Sequence, residues 1–132
     1  MGAADAAGVA RHAPPEDSRQ AFAPNAVLVV PLPFGSGVRM KILEAWARGV
    51  PVVATPEGVA GLAATDGREA LLASEPAAFA AAIARLHREP GLAETLVAGG
   101  RRALRERHDP GQIARRLLAA YDGVLARRLR NA

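Results

Sequence analysis

The residues with the clearest capacity for chemistry are gathered in one short run, Gly35-Ser36-Gly37-Val38-Arg39, with Lys41 and Glu44 close behind. Gly35 and Gly37 lack a Cβ, so the backbone there can take positive φ and come close to a bound group. Successive amide N–H groups in such a corner, joined by the free N–H groups of a first helical turn, form a concave set of donors suited to a phosphate. Arg39 and Lys41 add positive charge beside it. Glu44 stands three residues after Lys41 and four before Arg48, the spacing at which charged side chains pair along a helix surface. A glycine turn can also be a plain connection, so the elements on either side decide its meaning.

Those elements read as strand, loop, helix, strand. Residues 26–30 are a short unbroken apolar run rich in β-branched residues and closed by Pro31, the pattern of a strand covered on both faces. In residues 38–48, Ile42, Leu43, Trp46 and Ala47 recur at helical spacing. Gly49 supplies a C-terminal stop, and Pro51 prevents a return to helix. Val52-Val53-Ala54 is a second buried strand, ended by the turn-rich Thr55-Pro56-Glu57-Gly58. Two such strands joined through a helix form a βαβ unit with a right-handed crossover. The glycine loop then lies at the carboxyl end of the first strand, where open α/β sheets hold their ligands.

With these residues in view, the run PLPFGSGVRMKILEAWARGVPVVATPEGVAGL resembles the signature of the C-terminal, nucleotide-sugar-binding domain of family 4-like glycosyltransferases with the GT-B architecture. The resemblance continues through DGREALLASEPAAFAAAIARLHREP and RRALRERHDPGQIARRLLAAYDGVL, and upstream to Asp17, where the family has a short helix before this strand. It implies an α/β fold: a partial Rossmann-like domain with a short parallel sheet, flanking helices and a helical C-terminal segment, half of a GT-B C-terminal domain. It implies that Gly35, Ser36, Gly37 and Val38 form the loop facing the donor diphosphate. Glu44 matches the glutamate that accepts hydrogen bonds from the ribose hydroxyls. A carboxylate suits that task because it can take both donors of a vicinal diol. Many relatives carry a second glutamate eight positions earlier, where this chain has Ser36. The expected arrangement has the glycine-loop amides and Glu44 facing one cleft.

The same resemblance sets the functional expectation: the donor-binding portion of a glycosyltransferase that moves a hexosyl group from a nucleotide-diphosphate sugar to an acceptor, usually with retention of configuration. No catalytic residue, cofactor or metal is assigned to this chain. A complete enzyme of that kind has two Rossmann-like domains, and the chain corresponds to roughly the second half of the second. Missing are the basic residues that neutralise the departing diphosphate in relatives, a main electrostatic contribution to such chemistry, so the polypeptide is expected to be inactive alone. Its sheet is expected to keep an open edge, available to an N-terminal half-enzyme or to a homodimer partner. The alternative is a non-catalytic interaction module, a remnant that acts through protein–protein contacts.

Composition bounds these expectations. At 132 residues the chain is a single domain by length, with a core resting on Leu, Val and Ile because aromatics make up only 4%. There is no cysteine, which excludes a disulfide framework and thiolate metal sites and fits a reducing, cytoplasmic setting. The net charge of +4 and pI near 10.9 raise a nucleic-acid reading. Yet the arginines of the last third are interleaved with only one aromatic, Tyr121, and no nucleic-acid motif is present, so solvated helix faces are expected instead. Basic helix faces of this kind also suit peripheral contact with an anionic membrane surface.

The remaining segments have simple readings. Residues 1–16 show no steady period and no long apolar core, and are expected to be a loosely ordered leader ahead of a domain over 17–132. His12 is expected at the surface. Residues 69–73 suggest a further short strand or an extended arm. Helices are expected over 76–88, with Phe79, Ala82, Ile83 and Leu86 inward, and over 90–107, with Leu92, Leu96, Ala103 and Leu104 inward. Gly99-Gly100 is expected to weaken or bend the second of these. Asp109 should cap a last helix with Pro110 behind it and an apolar stripe of Ile113, Leu117, Tyr121, Val124 and Leu125.

Overall fold

The computed structural model describes residues 8–10, 12–13, 15–35 and 37–130. After a 3-10 turn at Ser18–Ala21 come strand β1 (Leu28–Val30), helix α1 (Met40–Arg48), strand β2 (Val52–Ala54) and strand β3 (Leu71–Leu72). Helices α2 (Pro76–Arg88), α3 (Pro90–Arg107) and α4 (Pro110–Arg130) complete the chain. The strands form one parallel sheet in the order β1-β2-β3, with Val29 opposite Val53 and Val53 opposite Leu71. The 69–73 segment thus resolves as a strand, extended at its start by a single parallel bridge between Asp66 and Ala70. Among the described residues no strand pairs with the outer side of β1, where Val29 is 40% exposed.

The period of two in the central strand explains why helices cover both faces. Val52 and Ala54 turn to one side and join Val30, Ile42, Trp46 and Ala70 under α1. Val53 turns to the other and joins Leu71, Phe79, Ala82 and Leu86 under α2. All three residues of β2 are completely buried, as the sheet's middle strand requires. α3 reaches both sides: Leu96 belongs to the α2 cluster and Ala103 to the α1 cluster. This is the partial Rossmann-like α/β arrangement expected, a short parallel sheet between helices.

Helix α1 starts at Met40, two residues later than its periodicity suggests, because Arg39 is still extended. It ends in Gly49 at φ 73°, whose N–H returns to the Ala45 and Trp46 carbonyls while the Val50 N–H bonds to the Ala45 carbonyl at 2.8 Å. That left-handed cap reverses the chain directly into β2. On α1 the buried residues are Ile42, Ala45 and Trp46, and Ala47 is exposed, a small rotation of the expected stripe. On α2, Ile83 lies at the rim at 39% exposure while Phe79, Ala82 and Leu86 are buried.

The glycine pair of α3 differs most from its expectation. The helix runs unbroken from Pro90 to Arg107, with Gly99 and Gly100 both buried. A Cβ on Gly99 would overlap the Arg68 carbonyl oxygen and lie 2.8 Å from its carbonyl carbon. One on Gly100 would lie 2.8 Å from Trp46 Nε1, inside the indole ring's contact distance. The pair lets α3 approach the backbone leading into β3 and the face of Trp46, so the missing side chains are a packing device. Trp46 is 1% exposed, and its indole N–H donates to the Glu69 carbonyl at 3.0 Å.

Candidate functional site

The carboxyl ends of β1 and β2 are held together by one hydroxyl. Thr55 Oγ1 donates to the Leu32 carbonyl at 2.6 Å and accepts from the Gly58 N–H at 3.0 Å, while the Thr55 N–H bonds to the Val30 carbonyl at 3.2 Å. Thr55 is 5% exposed. It stands where a cleft residue could stand, but its hydroxyl proton and one of its acceptor lone pairs are committed to the backbone. The turn pattern Thr-Pro-Glu-Gly carries that signal in the sequence, since a Thr hydroxyl readily binds the N–H a few residues on.

From that platform the chain passes through Leu32, Pro33 and Phe34 to the glycine loop. Gly35 has φ 148° and Gly37 φ 85°, conformations that a side chain disfavours. Ser36 lies outside the described residues. The Arg39 guanidinium is laid against Gly35: a Cβ there would sit 3.1 Å from Arg39 Cζ. Arg39 Nε is buried, and among the described residues it has no hydrogen-bond partner. Arg39 is also the residue before the first turn of α1, and its side chain makes no capping bond to that turn. No acidic residue occupies the first turn. The loop, the uncapped helix start and the guanidinium therefore present donors and positive charge together. Val38 is 49% exposed, and Phe34 and Met40, at 80% and 70%, form an apolar rim.

Glu44 lies on a different side of α1. Its Oε1 accepts from the Ser18 hydroxyl and from Arg48, with Nη2 at 2.7 Å and Nε at 3.0 Å. The Ser18 hydrogen bond first, and Arg48 second, hold its carboxyl below the ordinary range. Arg48 in turn lies over the Phe22 ring, 5.4 Å from its centroid. These contacts fasten the 3-10 turn and Phe22 to the outer face of α1. Asp17 supports the same turn by accepting from the Arg19 backbone N–H at 2.8 Å and pairing with the Arg19 side chain, which lowers its own pKa. Among the described residues no donor reaches Glu44 Oε2.

The cleft that Glu44 lines is walled by Pro15, Ser18, Phe22, Val27, Leu28 and Lys41 among others, with a volume near 330 Å³. Gly35, Gly37 and Val38 are not among its walls. Among the described residues, Gly35, Gly37, Val38 and Arg39 thus lie together at the helix start, while Ser18 and Arg48 engage Glu44 at the turn. Ser18 is 26 residues away in sequence, and nothing in the spacing marks it as a partner. The other buried polar residue among those described, Glu69, is 1% exposed; its carboxylate accepts from the Thr65 N–H at 2.9 Å and its backbone carbonyl from the Trp46 indole N–H. Among the described residues no three His, Cys, Asp or Glu side chains gather as a metal site.

A parallel sheet between helices, with a donor-rich loop at its carboxyl end, defines a Rossmann-like domain. The chain matches the family described as "Glycosyl transferases group 1" over residues 4–89, more than half its length, and it belongs to that family. The matched span holds β1, the glycine loop, α1 with Glu44, β2, β3 and α2. It begins within the 1–16 segment, of which residues 1–7, 11 and 14 lie outside the described residues. It ends at Glu89, so α3 and α4 fall beyond it. Searches of curated proteins and of solved structures returned no match.

Proposed function

We propose that this chain forms the donor-binding portion of a cytoplasmic glycosyltransferase, one that moves a hexosyl group from a nucleotide-diphosphate sugar to an acceptor. The observation that carries this reading is the guanidinium of Arg39 against the positive-φ Gly35, ahead of an uncapped helix start, inside the span matched to the glycosyltransferase family. In this reading Gly35, Ser36, Gly37 and Val38 cradle the diphosphate through backbone N–H groups, and Arg39 supplies charge there. Glu44 accepts the ribose hydroxyls through Oε2, the oxygen that Ser18 and Arg48 leave open. Binding then requires the Glu44 cleft and the loop to be joined by movement of the loop or the turn. Acceptor-side groups come from protein outside these residues, docked along the free side of β1, and the chain does not transfer sugar by itself.

The test is a thermal-shift and calorimetric series with uridine, guanosine, adenosine and thymidine diphosphates. One of them should raise the melting temperature of the chain, and Glu44→Ala or Gly35→Val should abolish that response. A wild-type chain indifferent to all four at millimolar concentration sinks the donor-site reading. The second reading, a non-catalytic interaction module, draws on the engagement of Glu44 by Ser18 and Arg48 and predicts that indifference.

A further inference from the structure

The contacts of Glu44 close into a ring that joins two elements. Glu44 and Arg48 are four residues apart on α1, and Ser18 and Phe22 are four residues apart across the 3-10 turn. The Ser18 hydroxyl donates to Glu44 Oε1, Arg48 Nε and Nη2 donate to the same oxygen, and the Arg48 guanidinium lies over the Phe22 ring. The turn is itself fixed from within: the Asp17 carboxylate accepts from the Arg19 N–H, and the Gln20 N–H bonds to the Asp17 carbonyl at 3.0 Å. Three donors thus converge on Oε1, and among the described residues none reaches Oε2. The Glu44 side chain is still 30% exposed and lines the cleft, so the carboxylate is held without being sealed off.

We propose that Ser18 is a positioning residue for the donor's ribose: with Arg48 it clamps Glu44 by Oε1 and presents Oε2 to the hydroxyls of a ribonucleoside diphosphate. This rests on the donor-site reading above and gives the turn a part in it. A glutamate on a helix surface has several free torsions, and ordering them on binding subtracts from affinity. A partner four residues along the same helix restrains such a side chain only weakly. Ser18 adds a restraint from a second element, so the carboxylate is ordered when the chain folds rather than when the ligand arrives. A contact that only fastened the turn could use either oxygen. Placing all three donors on one keeps the lone pairs of the other for a ligand. Oε2 is an acceptor, so it favours a nucleoside with 2′ and 3′ hydroxyl donors over one that lacks them. With the turn committed to Glu44, the glycine loop is the part that moves to complete the site.

The test is calorimetry of the 132-residue chain with uridine, guanosine and adenosine diphosphates and with their 2′,3′-dideoxy counterparts. For the ribonucleotide that binds, Ser18→Ala should raise Kd about fivefold, and Ser18→Thr, which keeps the hydroxyl, should restore it. The dideoxy counterpart should bind wild type and Ser18→Ala alike, because it has no hydroxyls for Oε2. A pH series adds a readout that loss of a mere fastening would not move. The charged groups around the Glu44 carboxylate are Arg48 and Lys41 from α1 and Asp17 from the turn, and Ser18 is the first cause of its lowered pKa. Affinity for the ribonucleotide should therefore fail at a higher pH in Ser18→Ala than in wild type as acid protonates Glu44. An unchanged Kd in Ser18→Ala, or an equal loss with the dideoxy counterpart, overturns the clamp and leaves the donor site standing. Tighter binding in Ser18→Ala also overturns it, since the turn then blocks Glu44 instead of presenting it. A wild-type chain indifferent to all three ribonucleotides removes the donor site, and the clamp with it.

Discussion

Two glycine pairs in this chain look alike on the page and do opposite things. Gly35 and Gly37 lie in a loop at positive φ, with the flexible end of Arg39 as the neighbour of one and open space around the other. Gly99 and Gly100 lie in an ordinary helix with nothing unusual in their backbone, and the atoms around them are a carbonyl group and an indole ring. The first pair is needed for the path the chain takes, the second for the space it leaves. Only the first pair can therefore be altered without pushing core elements apart.

That contrast is most open to attack at α3. Gly99→Ala should cost about 3 kcal/mol despite alanine's better helix propensity, because the Arg68 backbone cannot yield as a side chain tip can. Chemical denaturation reads the loss directly, and a neutral result breaks the contrast. Trp46→Phe keeps most of the bulk facing Gly100 but leaves the buried Glu69 carbonyl without its donor, so a loss of about 2 kcal/mol is expected in the same assay. Gly37→Ala should cost about 1 kcal/mol through its left-handed backbone alone. Its larger effect should be on nucleoside diphosphate affinity, measured by calorimetry. Asp109→Ala, which removes the acceptor of the Gln112 N–H at 2.8 Å, should also cost about 1 kcal/mol, and circular dichroism should show it as lost α4 helicity.

The smallest expected effect is of pH. Asp17 and Glu44 have folded-state pKa values below their ordinary ones. Their contribution to stability is therefore present above the ordinary carboxylate range and lost as pH falls through the depressed folded values. An acid titration of the melting temperature should show Ser18→Ala flattening this dependence, since Ser18 is the first cause of the Glu44 shift. If the slope is unchanged in that variant, the turn is not tied to α1 through Glu44.

Most of the architecture was legible before any coordinates. The bounds of α2 and α3, the middle strand and the Asp109 cap follow from proline positions, apolar period and cap chemistry, all local properties of the sequence. What escaped were contacts between distant segments. Gly99-Gly100 reads locally as a weak point, and only the nearness of Arg68 and Trp46 makes it a packing surface. Glu44 reads locally as a partner of Arg48, which it is, but its bond to Ser18 spans 26 residues and ties the carboxylate to the 3-10 turn. Donor residues were recognisable by type and spacing, whereas their relative orientation depends on a turn that periodicity does not describe.

Trp46 is the chain's single tryptophan, and it sits where α1, the approach to β3 and α3 converge. Its fluorescence is accordingly a built-in optical gauge of whether those three pieces have come together. Tyr121, on the far helix, is the chain's one tyrosine. Assembly of the body and events on the protruding helix can thus be followed at separate wavelengths in an unlabelled, unmutated sample.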